Sequence, residues 1–223
     1  SGKSNVGAEQ VLDLSYKHIK KYFLSRYDCD IFIHSWNVES EEKIVKLFKP
    51  KSYKIEQQKI FNIPEWIPGD EKRKQGHYSK WYSNLQSVNL MNKYSERKKI
   101  KYDYVLIARF DIAWKKQIKF EELESNTFYI GGWNRKPSVK VKDFWFLGNQ
   151  KDISRFSNIY NKIEKYCNIG ITSKSNGISN HKLAARHILE LKLNRKELLE
   201  CREDFNQNSD YPLIRYEYFG AKE

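Results

Sequence analysis

A short apolar run that ends in two opposite charges constrains the fold of this 223-residue chain more than any other feature. Residues 104–108 are apolar and partly β-branched, and Arg109 and Asp111 follow with only Phe110 between them. Such a run predicts a strand that is buried on both faces. Ligands of an open α/β sheet lie just beyond the carboxyl ends of its strands, so Arg109 and Asp111 are candidates to bind one. The alternative is a surface ion pair that only ends the strand.

Helical and strand patterns alternate through the first half of the chain. This order favours an α/β protein with a mostly parallel sheet flanked by helices, and the length favours one domain over residues 1–223. Residues 62–76 contain prolines, glycines and charges and are predicted to form a loop. The predicted helices cover residues 8–25, 41–48, 78–97, 153–166 and 179–193. The predicted strands cover residues 30–36, 53–57, 104–108, 126–132, 143–148 and 212–219.

The charge of the chain points to an anionic partner. Lys and Arg number 41 against 28 Asp and Glu, which gives a net charge of +13. A nucleotide, a nucleic acid, an acidic glycan or an anionic lipid surface would all fit, although dispersed lysines are also typical of an ordinary solvated surface. The three cysteines lack metal-binding spacing and indicate reduced thiols. Because no apolar run approaches about 20 residues, we expect a cytoplasmic protein, with peripheral contact to a membrane as an option.

Two further segments carry candidate nucleotide-binding residues. His34 and Trp36 lie at the end of the predicted strand 30–36, where a ring can stack on a base and an imidazole can hydrogen-bond it. Lys80, Trp81 and Tyr82 open the long predicted helix, and a helix N-terminus favours phosphate through its free N–H groups and dipole. The alternatives are a core histidine with a packing tryptophan, and an ordinary helix start with aromatic core anchors.

Candidates for proton transfer and for metal binding lie in the second half. Asp143 directly precedes an apolar run, so its carboxylate could act as general base on an acceptor hydroxyl or serve only as a turn residue. His181 lies on a helical pattern and could complete a metal site begun by Asp111. His187 is not four residues from His181, so a two-histidine zinc face is unsupported.

Taken together, these segments resemble a family of GT-A-fold glycosyltransferases from bacterial surface-polysaccharide loci and large viruses. The similar segments occur in the order of the family and are spread over most of the chain. They are CDIFIHSW at 29–36, YSKWYS at 78–83, YDYVLIARFD at 102–111, DFWFLG at 143–148 and ISNHKL at 178–183.

The resemblance implies transfer of a sugar from a nucleotide-sugar donor to a glycan acceptor. It implies an Asp-x-Asp motif that holds Mn²⁺ or Mg²⁺ on the donor diphosphate. Here Arg109 replaces the first acid and Asp111 matches the second, so Arg109 is expected to neutralise phosphate directly, with a weaker cation site or none. The family fold also begins with a strand and a nucleotide-contacting loop, and we expect that strand upstream of this sequence.

Two other functions remain open from the sequence. A nucleic-acid-binding protein or nuclease would use the positive charge, but no nucleic-acid-binding signature is present and we expect no nucleic-acid partner. An inactive glycan-binding module would explain the altered Asp-x-Asp motif. The function that the sequence favours is a hexosyltransferase in polysaccharide biosynthesis. Asp143 and Asp111 would be its catalytic residues. His34, Trp36, Lys80, Trp81, Tyr82 and Arg109 would bind the donor, and Asp111 and His181 would bind the metal.

Overall fold

The computed structural model describes residues 5–133, 139–173, 177–201 and 208–214. This part of the chain contains six α-helices joined by strands, short 3₁₀ turns and loops. The first helix continues into one π-helical segment, Lys20–Leu24. The helices are Asn5–Ile19 (α1), Glu41–Phe48 (α2), Glu71–Lys98 (α3), Gln150–Ser157 (α4), Ile163–Asn168 (α5) and Asn180–Glu190 (α6). None of these described helices is long and apolar enough to cross a lipid bilayer.

The described strands form three small sheets. They are Phe32–Ser35 (β1), Ser52–Ile55 (β2), Val105–Ala108 (β3), Phe128–Gly132 (β4), Trp145–Gly148 (β5), Thr172–Ser173 (β6), Gly177–Ile178 (β7) and Arg195–Glu200 (β8). Strands β1 and β2 pair in parallel, and β6 and β7 pair antiparallel. The largest sheet has the order β3-β5-β4-β8, in which β5 runs antiparallel to both neighbours and β8 runs parallel to β4.

The prediction of an α/β protein is confirmed, but the prediction of a mostly parallel sheet is wrong. The sheets are mixed, because β5 opposes the strands on both its sides. Parallel neighbours need a long crossover that is usually helical. Helix α2 connects the parallel neighbours β1 and β2, whereas β4 and β5, which follow one another along the chain, are antiparallel neighbours. Alternation of helices and strands therefore holds for the β1–α2–β2 unit and stops at β3.

The long helix α3 begins seven residues earlier than predicted. Its N-cap is Asp70, whose carboxylate accepts a hydrogen bond from the backbone N–H of Arg73 at 3.0 Å. Gly76 lies within the helix, although a glycine there costs about 1 kcal/mol relative to alanine. Lys80 is therefore inside α3 rather than at its start, and the prediction of a helix N-terminus at Lys80 is wrong.

Helix α3 packs against the β1–β2 sheet and the four-stranded sheet, and its buried face forms part of the core. Trp81 is fully buried and its ring lies 6.2 Å from that of Phe146 on β5 and 6.0 Å from that of Phe156 on α4. Val88 and Met91 continue the same buried face of the helix. Because Trp81 points into the core, the neighbouring side chain of Lys80 is held at the edge of the core.

Strands β1 and β3 each hydrogen-bond to one other described strand, β2 and β5 respectively. Side chains connect the β1–β2 sheet to the sheet that contains β3. The hydroxyl of Tyr102 donates to Asp30 at 2.7 Å, and the rings of Tyr102 and Phe32 lie 5.9 Å apart. The two sheets are thus connected by side-chain packing and by the hydrogen bond from Tyr102 to Asp30. The strand predicted at 212–219 is described only at its start, where Leu213 forms an isolated bridge with Ile112; residues 215–219 lie outside the described residues.

Candidate functional site

A cleft of about 410 Å³ opens where the ends of β1 and β3 approach α3 and α6. Trp36 follows β1, Arg109 follows β3, His77 and Lys80 project from α3, and Asn180 begins α6. Three of the predicted binding residues, Trp36, Lys80 and Arg109, are therefore brought together. With Arg73 also in its wall, the cleft carries a positive lining suited to an anionic ligand.

Lys80, which lines the cleft, forms an ion pair with Asp143. The ammonium of Lys80 donates to Oδ2 of Asp143 and also to the backbone carbonyl of the same residue. Asp143 is buried, at 6% exposure, because it directly precedes the fully buried strand β5. A carboxylate so little exposed requires paired partners, since an unpaired buried charge is costly.

His181 holds the other oxygen of the same carboxylate. Its Nδ1 lies 3.2 Å from Oδ1 of Asp143 and 2.9 Å from the carbonyl oxygen of Val141. Both neighbours are acceptors, so Nδ1 must carry the proton and donate. In the neutral ring this leaves the lone pair on Nε2. The face of the imidazole packs against Trp133, with ring centroids 4.8 Å apart.

These contacts determine the charge of both partners. Burial alone would raise the pKa of the Asp143 carboxyl, but the charges of Lys80 and His181 hold this pKa well below its usual range. Burial lowers the pKa of Lys80, while the charge of Asp143 opposes that shift. Arg109 and Asp111 act on the same pair through their charges, which shows that all four groups share one electrostatic environment. Asp143 is consequently ionised and a weak base.

Arg109 and Asp111 form a second ion pair at the cleft. The guanidinium donates through Nε to Oδ1 at 2.7 Å and through a terminal nitrogen to Oδ2 at 2.6 Å. This two-point geometry is the strong form of an arginine–carboxylate contact. Arg109 also lies over the ring of Phe144, 5.3 Å from its centroid. Lys80 and Arg109, two of the cations that line the cleft, are thus each paired with one aspartate.

The predicted aromatic binding residues take different positions. Trp36 and Tyr82 stack with ring centroids 5.4 Å apart, and Tyr82 accepts a 2.6 Å hydrogen bond from Lys59. His34 lies in edge contact with Trp36 and 3.2 Å from Glu56, with its side chain fully buried. Burial lowers the pKa of His34 despite the carboxylate of Glu56. Trp36 lines the cleft, whereas His34 supports it from the core.

Trp81 lies in the core and orients a cleft residue. Its Nε1 donates to Oδ1 of Asn180 at 2.9 Å. Asn180 and His77 were absent from the predicted binding set, yet both line the cleft. Nε2 of His77 is buried without a hydrogen-bond partner among the described residues. The spacing of Arg73, His77 and Lys80 would have revealed one face of a helix if α3 had been predicted to begin at residue 71.

The residues predicted to bind a metal contact other protein groups. Within the described residues, no group of three or more His, Cys, Asp and Glu side chains is arranged to hold a metal ion. Both carboxylate oxygens of Asp111 are held by Arg109, and Nδ1 of His181 is held by Asp143 and Val141. Hard divalent cations need free oxygen ligands, so a cation at Asp111 would have to displace Arg109. The predicted Mn²⁺ or Mg²⁺ stays a prediction.

Comparison of the chain with protein-family models and with curated proteins finds no match. The functional assignment therefore rests on the chemistry of the cleft and on the ordered sequence segments.

Proposed function

We propose that this protein is a glycosyltransferase that moves a sugar from a nucleotide-sugar donor to a glycan acceptor, on a GT-A-like α/β scaffold. The observation that carries the proposal is the pairing of Lys80 with Asp143 and of Arg109 with Asp111 in one cleft. Two cations at a cleft beside a stacked aromatic pair provide what a nucleoside diphosphate requires.

The two cations would stabilise the leaving group. When the bond from the sugar to the β-phosphate breaks, negative charge develops on the diphosphate, and cations fixed beforehand lower the energy of that state. Lys80 and Arg109 are held in place by their aspartates. Binding of a diphosphate would draw both cations toward phosphate oxygens and relax, but not abolish, the contacts to Asp143 and Asp111.

The aromatic pair Trp36 and Tyr82 supports a place for the nucleoside. Trp36 lines the cleft on the β1 side, opposite Arg109 on the β3 side. A base or ribose stacked on Trp36 would leave its phosphates near Lys80 and Arg109. Apolar walls with a few convergent polar groups are the usual composition of a small-molecule site.

A thermal-shift panel of UDP-, GDP- and dTDP-sugars, with and without Mn²⁺, tests the proposal. A nucleotide sugar at about 100 times its dissociation constant stabilises the folded state by about 2.7 kcal/mol, which is readily measured. We expect one nucleotide class to shift the unfolding midpoint. Replacing Arg109 by Met should weaken that binding by about 10- to 150-fold, since hydrogen bonds to charged groups contribute about 1.5–3 kcal/mol.

The matched control is Arg155→Met. Arg155 also pairs with an aspartate, Asp152 at 3.2 Å, but on helix α4 and outside the cleft. This variant should bind the donor like the wild type. If no nucleotide sugar shifts the wild-type protein while an oligonucleotide does so with a steep loss at higher salt, the glycosyltransferase proposal fails and nucleic-acid binding replaces it.

A further inference from the structure

The carboxylate of Asp143 has two different partners on its two oxygens. Oδ2 accepts from Lys80, which lines the cleft, and Oδ1 lies 3.2 Å from Nδ1 of His181. Asp143 therefore links a cation of the cleft to the imidazole of His181, which directly follows the cleft residue Asn180. The sequence predicts proton transfer for Asp143 and metal binding for His181, and the structure brings the two residues into contact.

His181, rather than Asp143, presents the free basic atom. The side chain of Asp143 is 7% exposed, and both of its oxygens are held. The side chain of His181 is 33% exposed, and its Nδ1 donates to the carbonyl oxygen of Val141 and lies 3.2 Å from Oδ1 of Asp143. An acceptor that holds Nδ1–H fixes the tautomer and the ring orientation, so the lone pair of Nε2 has one defined direction.

We propose that His181, through Nε2, is the general base that takes the proton of the acceptor hydroxyl, and that Asp143 is its positioning residue. The proposal rests on the proposed function. In the step, the acceptor O–H bond breaks and its proton passes to Nε2. The acceptor oxygen bonds to the anomeric carbon, and the bond from that carbon to the phosphate oxygen breaks. The electron pair of that bond leaves with the nucleoside diphosphate beside Lys80 and Arg109.

This assignment has a stereochemical consequence. One direct displacement with a base on the face opposite the leaving group inverts the anomeric centre. The product of the first turnover should therefore have the opposite anomeric configuration to the donor.

The decisive variant is His181→Asn. The asparagine amide can replace the Nδ1–H donor toward Asp143 and Val141, but it has no basic nitrogen in place of Nε2. The probe is the nucleotide sugar that shifts the wild-type protein, and water serves as the acceptor. The assay measures release of nucleoside diphosphate, the thermal shift by the same donor, and the anomer first released by proton NMR.

We expect His181→Asn to release nucleoside diphosphate about 10²- to 10⁴-fold more slowly, with an unchanged donor thermal shift. Imidazole added to His181→Ala should restore part of the rate, because a base in solution can replace the missing one. Asp143→Asn, which keeps an acceptor oxygen near Nδ1–H but removes the charge, should lower kcat while leaving the KM of the nucleotide sugar nearly unchanged.

Each contrary result has a distinct meaning. Full activity of His181→Asn, or a retained anomeric configuration, overturns the base assignment. Loss of a Mn²⁺-dependent donor shift in His181→Asn overturns it in favour of a metal ligand. Absence of both donor binding and hydrolysis in the wild-type protein overturns the glycosyltransferase proposal itself, and this outcome is recognised before any variant is made.

Discussion

Replacing Lys80 by Met should destabilise the folded protein strongly, because it leaves the carboxylate of Asp143 buried without its cation. The ammonium of Lys80 contacts both the carboxylate and the backbone carbonyl of Asp143. Methionine fills most of the same volume, so the change isolates the lost charge. Nδ1 of His181 remains 3.2 Å from the carboxylate.

The expected loss of unfolding free energy is about 3 kcal/mol at pH 7. Breaking a buried ion pair by removing one partner costs about 3–5 kcal/mol, and the lower end applies because His181 keeps its contact. For a domain of this size, that loss lowers the unfolding midpoint by about 6–12 °C. Removing both charges with Lys80→Met and Asp143→Asn should recover part of the loss, because no unpaired charge is then buried.

The loss should also depend on pH in a defined direction. In the wild type the pKa of Asp143 lies below its usual range, so its contribution is present above the unfolded-state pKa of about 3.9 and is lost as pH falls further. Without Lys80, burial raises the pKa of Asp143 in the folded state. The variant can then take up a proton under mildly acidic conditions, and its deficit relative to the wild type should shrink from pH 7 to pH 4.5.

Urea denaturation at pH 7 and pH 4.5, followed by intrinsic tryptophan fluorescence, measures both effects. The control is Lys43→Met. Lys43 pairs with Asp13 at 2.8 Å, but the side chain of Asp13 is 49% exposed, so this substitution should cost less than about 1 kcal/mol. The reasoning is refuted if Lys80→Met costs no more than Lys43→Met, or if its deficit is the same at both pH values.

Three substitutions test other parts of the description. Gly76→Ala should stabilise the protein by about 0.5–1 kcal/mol, since a Cβ there meets nothing within 4 Å and alanine favours the helix. Gly131→Ala should instead cost about 1–3 kcal/mol, because its Cβ would lie 2.0 Å from the hydroxyl oxygen of Tyr211. In thermal denaturation the unfolding midpoint should rise for Gly76→Ala and fall for Gly131→Ala. Burial opposes ionisation of Glu56, yet its hydrogen bond from Lys54 brings the pKa from 4.5 to about 2. The wild type should therefore lose stability relative to Glu56→Gln as pH falls from about 4.5 to 2, and a constant difference across that range would contradict this ion pair.

The central strands could be predicted because they are nearly continuous apolar runs. Strands β3, β4 and β5 all fall within predicted strands, and helix α2 has the predicted bounds. A buried strand must be apolar on both faces, so its signal lies within four to six adjacent residues. Local sequence therefore contains the information that these elements need.

The start of α3 and the strand β8 could not be predicted for two different physical reasons. Gly76 and the prolines before it conceal a helix start that depends on a single cap at Asp70. Strand β8 is charged and has no apolar run; it is a strand because it pairs with β4, more than 60 residues earlier in the sequence by the register Phe128 with Arg195. Such pairing depends on tertiary context, which propensity does not contain.

The sequence predicts most of the residues of the site but not the contacts between them. Lys80 was assigned to phosphate and Asp143 to proton transfer, although 63 residues separate two groups that form one ion pair. His181 was assigned to a metal, and only the direction of its Nδ1 toward Asp143 and Val141 reveals which nitrogen is free. Chain spacing contains neither of these facts.

Among the described strands, β1 hydrogen-bonds only to β2 and β3 only to β5, and this affects which part of the protein unfolds locally. No described strand pairing joins the β1–β2 sheet to the four-stranded sheet. The two sheets are held together by side-chain packing against α3 and by contacts such as that between Tyr102 and Asp30. Units joined in this way separate at a lower free energy than the whole protein unfolds. The β1–β2 unit carries Trp36, whereas Lys80 and Arg109 lie on α3 and after β3. Partial release of that unit would therefore widen the cleft by moving Trp36 away from Lys80 and Arg109. Amide hydrogens of β1 would then exchange with solvent before those of β5.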